Sequence, residues 1–403
     1  MTKKLKKRVF FLIYCGAFLL PLAFFIPAGA VNSGWVKLLG TAAHDLGRDI
    51  TVDSADNIYV TGYTEGFLDG EVNTGGYDIF LAKYDTNGNR LWTQLLGTTF
   101  RDDGYGVATD STGNIYITGR TNGNLDGEVN TGGYDIFLVK YDTNGSRLWT
   151  RLLGTALAEC GYGIVVDSTD NVFVTGSTEG DLDGLPNAGG SDSFLVKYDT
   201  NGNRLWTQLL GTAFGDDGYD VIVDAGGNVF VTGFTEGELD GEVNTGGYDI
   251  FLAKYDTNGN RLWTRLLGTA FRDDGYGVAT DSTGNVYVTG RTNGNLDGQT
   301  NTGGYDIFLA TYDTNGSRLS TELLGTAFAD YGYGIVADSA DNVYVAGFTD
   351  GHLDGLPNAG GSDIFIWKQL PASDENNDRD RRSHSGADWC FISTAASEFR
   401  MTK

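Results

Sequence analysis

Six closely similar units follow one another at a fixed step of 57 residues, with no insertion or deletion between them. Trp35, Trp92, Trp149, Trp206 and Trp263 keep the step, and Ser320 takes the sixth place. Asp53, Asp110, Asp167, Asp224, Asp281 and Asp338 keep it too, as do Phe80, Phe137, Phe194, Phe251, Phe308 and Phe365. A unit this short cannot bury its own faces, so the period marks an array in which each unit covers its neighbours. Length alone would suggest two or three domains, but one closed array absorbs it. Sixty glycines against five prolines suit many tight turns, and 40% hydrophobic residues can fill a large core.

The unit from Gly104 to Cys160 reads as four short strands. Gly104 to Asp110 is the first, and Ser111-Thr112-Gly113 turns the chain. Asn114 to Gly119 is the second, rich in β-branched and aromatic residues. A Gly- and Asn-rich loop from Thr121 to Gly133 follows, and Tyr134 to Tyr141 is the third strand. Asn144-Gly145 is a strong hairpin signal, and Arg147 to Leu153 is the fourth strand. Both faces of the third strand are apolar, as a sheet held between two neighbours requires.

Four antiparallel strands per unit, repeated around an axis, predict an all-β fold: a β-propeller of six four-stranded blades over residues 31–370. The array starts with a lone fourth strand, Trp35 to Gly40, and ends with a lone third strand, Asp363 to Lys368. Pairing these two would complete the sixth blade and remove both open edges. A second period of 171 residues overlies the first: Phe100 to Asn114 is identical to Phe271 to Asn285, so a three-blade module has been duplicated.

Gly76 to Trp92 and Asp103 to Gly119 closely resemble the SBBP-type bacterial β-propeller repeat, and the resemblance runs from about Trp35 to Lys368. It implies an exported or cell-surface propeller. It carries no established catalytic residues to transfer.

The ends are different material. Lys3, Lys4, Lys6, Lys7 and Arg8 precede an apolar run from Val9 to Ile26, and Ala28-Gly29-Ala30 is a small-residue cleavage site. This is the pattern of a secretory signal peptide over residues 1–30; an uncleaved anchor is the alternative. Cleavage would remove five positive charges and move the net charge from −25 to −30. Such a chain is unsuited to nucleic acid, whose phosphates need Lys and Arg, and is expected to be exported and monomeric, without stable membrane insertion. Residues 371–403 are polar and charged and read as a disordered tail. No cysteine framework repeats with the unit, so stability must come from stacking.

Candidate sites are few. Leu-Asp-Gly-x-x-Asn-x-Gly-Gly recurs in all six loops between second and third strands, with Asp69, Asp126, Asp183, Asp240, Asp297 and Asp354 as its acids. Glu71, Glu128, Glu242 and Gln299 add a further oxygen in four of them. Hard oxygen donors beside Gly-rich backbone could hold Ca²⁺. The competing reading has Asp and Asn capping their own turns. Asp53 and its equivalents, four residues before Asn57 and its equivalents, fit a side-chain-capped turn, and the tryptophans fit packing between blades. Asp102 and Asp103 fit a solvated rim. His44, His352 and His384 share no repeat phase, and neither a Gly-x-Ser-x-Gly elbow nor a His-Glu-x-x-His motif is present.

The expected function is a non-catalytic binding or scaffold module with a protein or glycan ligand. The alternatives are an extracellular hydrolase or lyase at the central channel, and a calcium-dependent adhesion module. A channel lined by unlike polar residues would favour the enzyme, and a six-fold repeated lining the scaffold.

Overall fold

The computed structural model describes residues 35–369, so the readings placed on residues 1–30 and 371–403 lie outside the described residues. Among the described residues, Leu39 to Gln369 belong to one compact unit, and the blades lie in it. Five sheets have four strands and the sixth has three, each ordered as in the chain and antiparallel throughout. The second blade comprises Asp102–Thr109, Ile115–Thr121, Asp135–Tyr141 and Arg147–Leu153. The other blades repeat it at the sequence period. The fold is therefore the expected six-bladed β-propeller.

Local chemistry sets each hairpin. In the turn between first and second strands of the first blade, Asp53 Oδ1 accepts the N–H groups of Ala55 and Asn57, both at 2.9 Å. Asn57 Nδ2 and the Tyr59 hydroxyl donate to Oδ2. The turn between third and fourth strands uses Asp142 in the same way, and Gly145 follows at φ 84°, a conformation that favours glycine.

Blades are joined by interdigitated apolar faces. Tyr59, Ile79 and Leu81 of the first blade share one core with Val107, Ile117, Phe137 and Val139 of the second. The equivalent phenylalanines Phe137, Phe194, Phe251 and Phe308 are all fully buried. Burial of such a side chain stabilises by about 1.5–3 kcal/mol. A polar latch supplements the core: Lys83 Nζ donates to the carbonyl of Thr143 in the next blade, and Lys140, Lys197 and Lys254 do the same one, two and three blades on. Trp92 lies against Gly145 of the next blade, so the tryptophans serve inter-blade packing as expected.

The end of the array departs from expectation. The pairing of Trp35–Gly40 with Asp363–Lys368 is not among the sheet pairs, and the sixth sheet keeps three strands. Val36 and Leu38 are almost fully exposed, and Leu39 is partly buried against the first-blade core at Leu68 and Phe80. The outer face of the last blade is bare as well. Ile364 is 87% exposed, whereas its equivalent Ile307 is 0% exposed. Ile50 of the first blade is also exposed, although its equivalents Val107 and Val278 are buried.

Candidate functional site

The Leu-Asp-Gly loops are built around their leucines. Leu68, Leu125, Leu182, Leu239, Leu296 and Leu353 are buried and plug the edge of the core. The next residue then takes a left-handed conformation, with φ between 48° and 58° at the six aspartates. Aspartate tolerates that region better than most side chains. In the five four-stranded blades this turn aims the carboxylate at the fourth strand of its own blade. Asp69 receives Arg90, Asp126 receives Arg147, Asp183 receives Arg204, Asp240 receives Arg261 and Asp297 receives Arg318. Thr150, Thr207 and Thr264 donate to the second oxygen of Asp126, Asp183 and Asp240. Glu128 and Glu242 lie near Arg151 and Arg265. Asp354 has no arginine partner among the described residues.

The turn itself is capped by asparagine. Asn73 Nδ2 donates to the carbonyls of Thr64 and Gly76, and its Oδ1 accepts Gly75 N–H. Aspartate is thus a clasp across the blade rather than a cap on its own loop. The arginine 21 residues on, constant in five units, was the sequence signal for it. Among the described residues no group of three or more His, Cys, Asp or Glu side chains converges as a metal site would require.

The axis is built by a bulge. Each first strand slips register once against the second, leaving Arg48, Tyr105, Tyr162, Tyr219, Tyr276 and Tyr333 without a cross-strand partner. Bulges re-aim side chains, and these point inward. The tyrosines form a chain of ring contacts, with successive centroids 5.4, 5.4, 5.4 and 5.2 Å apart. The Arg48 guanidinium lies 5.2 Å from the Tyr105 ring, so it occupies the sixth place. Next to them stand Asp49 and Asp220, where the other four blades have glycine. Burial pushes Asp49 up to about 6 and Asp220 up to about 7, and the Asp49 charge adds to the latter.

Around the mouth of this axis, on the face with the Leu-Asp-Gly loops, the repeats stop being alike. In the second blade Arg101 Nε donates to Asp103 Oδ2 at 2.8 Å, and Arg120 Nε donates to the same oxygen at 2.9 Å. Arg101 stacks on Tyr77 and Arg120 on Tyr134, each 4.3 Å from the ring centroid. The fifth blade repeats the cluster with Arg272, Asp274 and Arg291, stacked on Tyr248 and Tyr305. Asp102 and Asp103 are both fully buried, which corrects their reading as a solvated rim. In the third blade Cys160 replaces Asp103. It lines a recess of about 180 Å³ with Arg120, Tyr162, Ser177, Glu179 and Asp217. Burial pushes its thiol up to about 12. Asp103 was read from the sequence as a rim residue, and its partners Arg101 and Arg120 gave no signal there, because the repeat draws attention to what is constant and they are what varies.

Strand order, blade-on-blade packing and an axial mouth together define the class: a β-propeller. The model of the SBBP beta-propeller repeat family matches the chain five times, at residues 34–67, 91–126, 148–183, 262–297 and 320–354. Two curated proteins are similar over most of this chain. An uncharacterized WD repeat-containing protein of Acanthamoeba polyphaga mimivirus is 23% identical over 78% of this chain and 31% of its own length. The regulatory protein FlaEY of Caulobacter vibrioides is 26% identical over 81% of this chain and 40% of its own length. The chain therefore spans less than half the length of either relative. Among solved structures, a Bacteroides caccae protein of unknown function gives a TM-score of 0.40 at 12% identity, covering 76% of this chain and 89% of that one. The Neurospora crassa Pan2 WD40 domain gives 0.39 at 10% identity, covering 74% of each.

Proposed function

We propose that this chain is a non-catalytic binding module that engages a ligand at the mouth of its axis. One observation carries the reading: the blades are nearly uniform except at the mouth, where arginine, aspartate, cysteine, serine, glutamate and tyrosine alternate between equivalent places. Uniform positions serve stacking, and a surface that breaks the uniformity is free to recognise something. Unlike lining is also what an enzyme would show, but the chemistry of this lining favours binding. Cys160 carries a thiol held well above neutrality, which suits a buried structural cysteine and not a nucleophile. Asp103 and Asp274 are each committed to two guanidinium groups. The similarity to a WD repeat-containing protein supports an interaction role. The basic and apolar N-terminal segment supports export to the periplasm, cell surface or medium.

The test is a screen of the chain from Val31 onward against immobilised proteins and glycans, run beside a Tyr134→Ala, Tyr305→Ala variant. Binding lost in the variant and kept in Asp240→Ala, on a loop clasp away from the mouth, is the expected result. Binding that ignores the mouth substitutions would overturn the proposal.

A further inference from the structure

We infer that the mouth takes a ligand carrying two carboxylate groups, one at each arginine pair; this rests on the mouth being the binding surface. The pairs occur in the second and fifth blades alone, three blades apart in a ring of six and thus on opposite sides of the axis. The places of Arg101 and Arg120 hold His44 and Tyr63, Ala158 and Ser177, Gly215 and Phe234, and Ala329 and Phe348 in the other four blades.

Charge balance points to an anion. Two guanidinium groups share one buried carboxylate in each pair, so one positive charge per pair is left over. Both arginines of a pair use Nε on that carboxylate, and among the described residues their Nη groups have no hydrogen-bond acceptor. The rings beneath them hold the planar forks in place before any ligand arrives, which lowers the ordering cost of binding.

The surrounding acids follow the same plan. Glu65, Glu179, Glu236 and Asp350 occupy one repeat position in four blades, and in the two arginine blades that position is Asn122 and Asn293. The arginine blades thus lack this acid themselves, and the acids nearest their pairs come from neighbouring blades, as Glu179 and Asp217 do in the recess they share with Arg120. A carboxylate matches the single surplus charge of a pair and its fork geometry. A phosphate monoester, with about −1.5 to −2 charge, would overcompensate it in a chain already strongly acidic.

Two sources of the chemistry are separable by titration calorimetry at physiological salt, with glutarate and a hexaglutamate peptide as probes. Inorganic phosphate and trilysine are the controls. Binding of either carboxylate probe, weakened about tenfold in Arg120→Gln or Arg291→Gln, is expected. Lysine at the same positions should restore part of it, and this arm stands in should a glutamine variant fail to fold. Hexaglutamate alone binding would identify an acidic protein segment, and glutarate binding as well a small dicarboxylate. No carboxylate binding, binding indifferent to both arginines, or tighter binding of phosphate would overturn the inference. Trilysine binding lost on Tyr134→Ala, without carboxylate binding, would keep the mouth as a site and still remove this ligand class.

Discussion

Asp220 in the fourth blade stands where Asp49 stands in the first, and each accepts a backbone N–H from the next inner strand: Val278 at 2.9 Å and Val107 at 2.8 Å. The two are 171 residues apart, one three-blade module. Burial raises both above the ordinary carboxylate value, to about 6 and about 7. The folded state therefore binds protons more tightly than the unfolded chain, and stability falls as pH rises from about 4 to about 7. Asp220→Asn should flatten that decline by roughly 1–3 kcal/mol. Urea midpoints measured between pH 4.5 and 7.5 check it; an unchanged slope would reject a buried ionising Asp220.

A counter-trend operates at lower pH. Burial alone would raise Asp53, Asp110 and Asp167, but the hydrogen bonds from Asn57, Asn114 and Asn171 outweigh it and hold them below the usual value. Their contribution is present above about pH 4 and lost below it as these groups protonate. The urea midpoint should thus peak near pH 4–5. A midpoint still rising toward pH 3 would contradict the turn geometry.

The arginine clasps bear on calcium. A cation at Asp126 or Asp240 would have to displace Arg147 or Arg261 together with Thr150 or Thr264. The melting temperature should therefore shift equally in millimolar Ca²⁺ and Mg²⁺, through screening of the acidic surface. A larger Ca²⁺ shift, abolished by Asp354→Ala in the unclasped loop, would establish a calcium site there.

Gly119 is the most constrained residue of the second blade. A Cβ there would meet the Asp103 carbonyl oxygen at 1.9 Å and the Phe137 ring at 2.8 Å. Gly119→Ala should cost about 2–4 kcal/mol, through strain at a position where neither neighbour can retreat. Gly127→Ala meets nothing within 4 Å but has φ 87°, so its cost should be backbone strain alone, about 1 kcal/mol. Denaturant titrations of the two variants rank them.

Ile364 and Ile307 give a direct reading of the last blade in solution. Ile307→Ser should destabilise by about 2–4 kcal/mol, and Ile364→Ser by less than about 0.5 kcal/mol. Similar losses from both would mean that the outer face of the last blade is covered in solution.

The architecture was legible because the period is a physical signal. Phe137 and its equivalents recur where a blade must be buried, and Asp-Thr-Asn-Gly recurs where a hairpin must turn. The Leu-Asp-Gly loops were legible as motifs but not in purpose, since the partner of Asp126 is Arg147 in another strand, and only a constant spacing of 21 residues joins them. Closure by residues 35–40 was an argument from strand counting alone, and that pairing is not among the sheet pairs of the described residues. The mouth was hardest to see. Arg101, Arg120 and Asp103 converge only after a bulge and one strand reversal, and each looked like an irregularity in an otherwise regular text.

The bulge that turns Tyr105 and its counterparts inward separates two sets of positions along the same strand. Residues before it meet the mouth, and residues after it, such as Val107, lie in the contact between blades. If the mouth is the binding surface proposed above, substitutions at the first set should change recognition while leaving the packing at Val107 in place. Duplication of a module can thus supply a second copy of a recognition element, as Arg272, Asp274 and Arg291 copy Arg101, Asp103 and Arg120, while neighbouring modules drift to serine, phenylalanine or cysteine. On that reading, heritable variation in recognition would be uncoupled from variation in whether the chain folds.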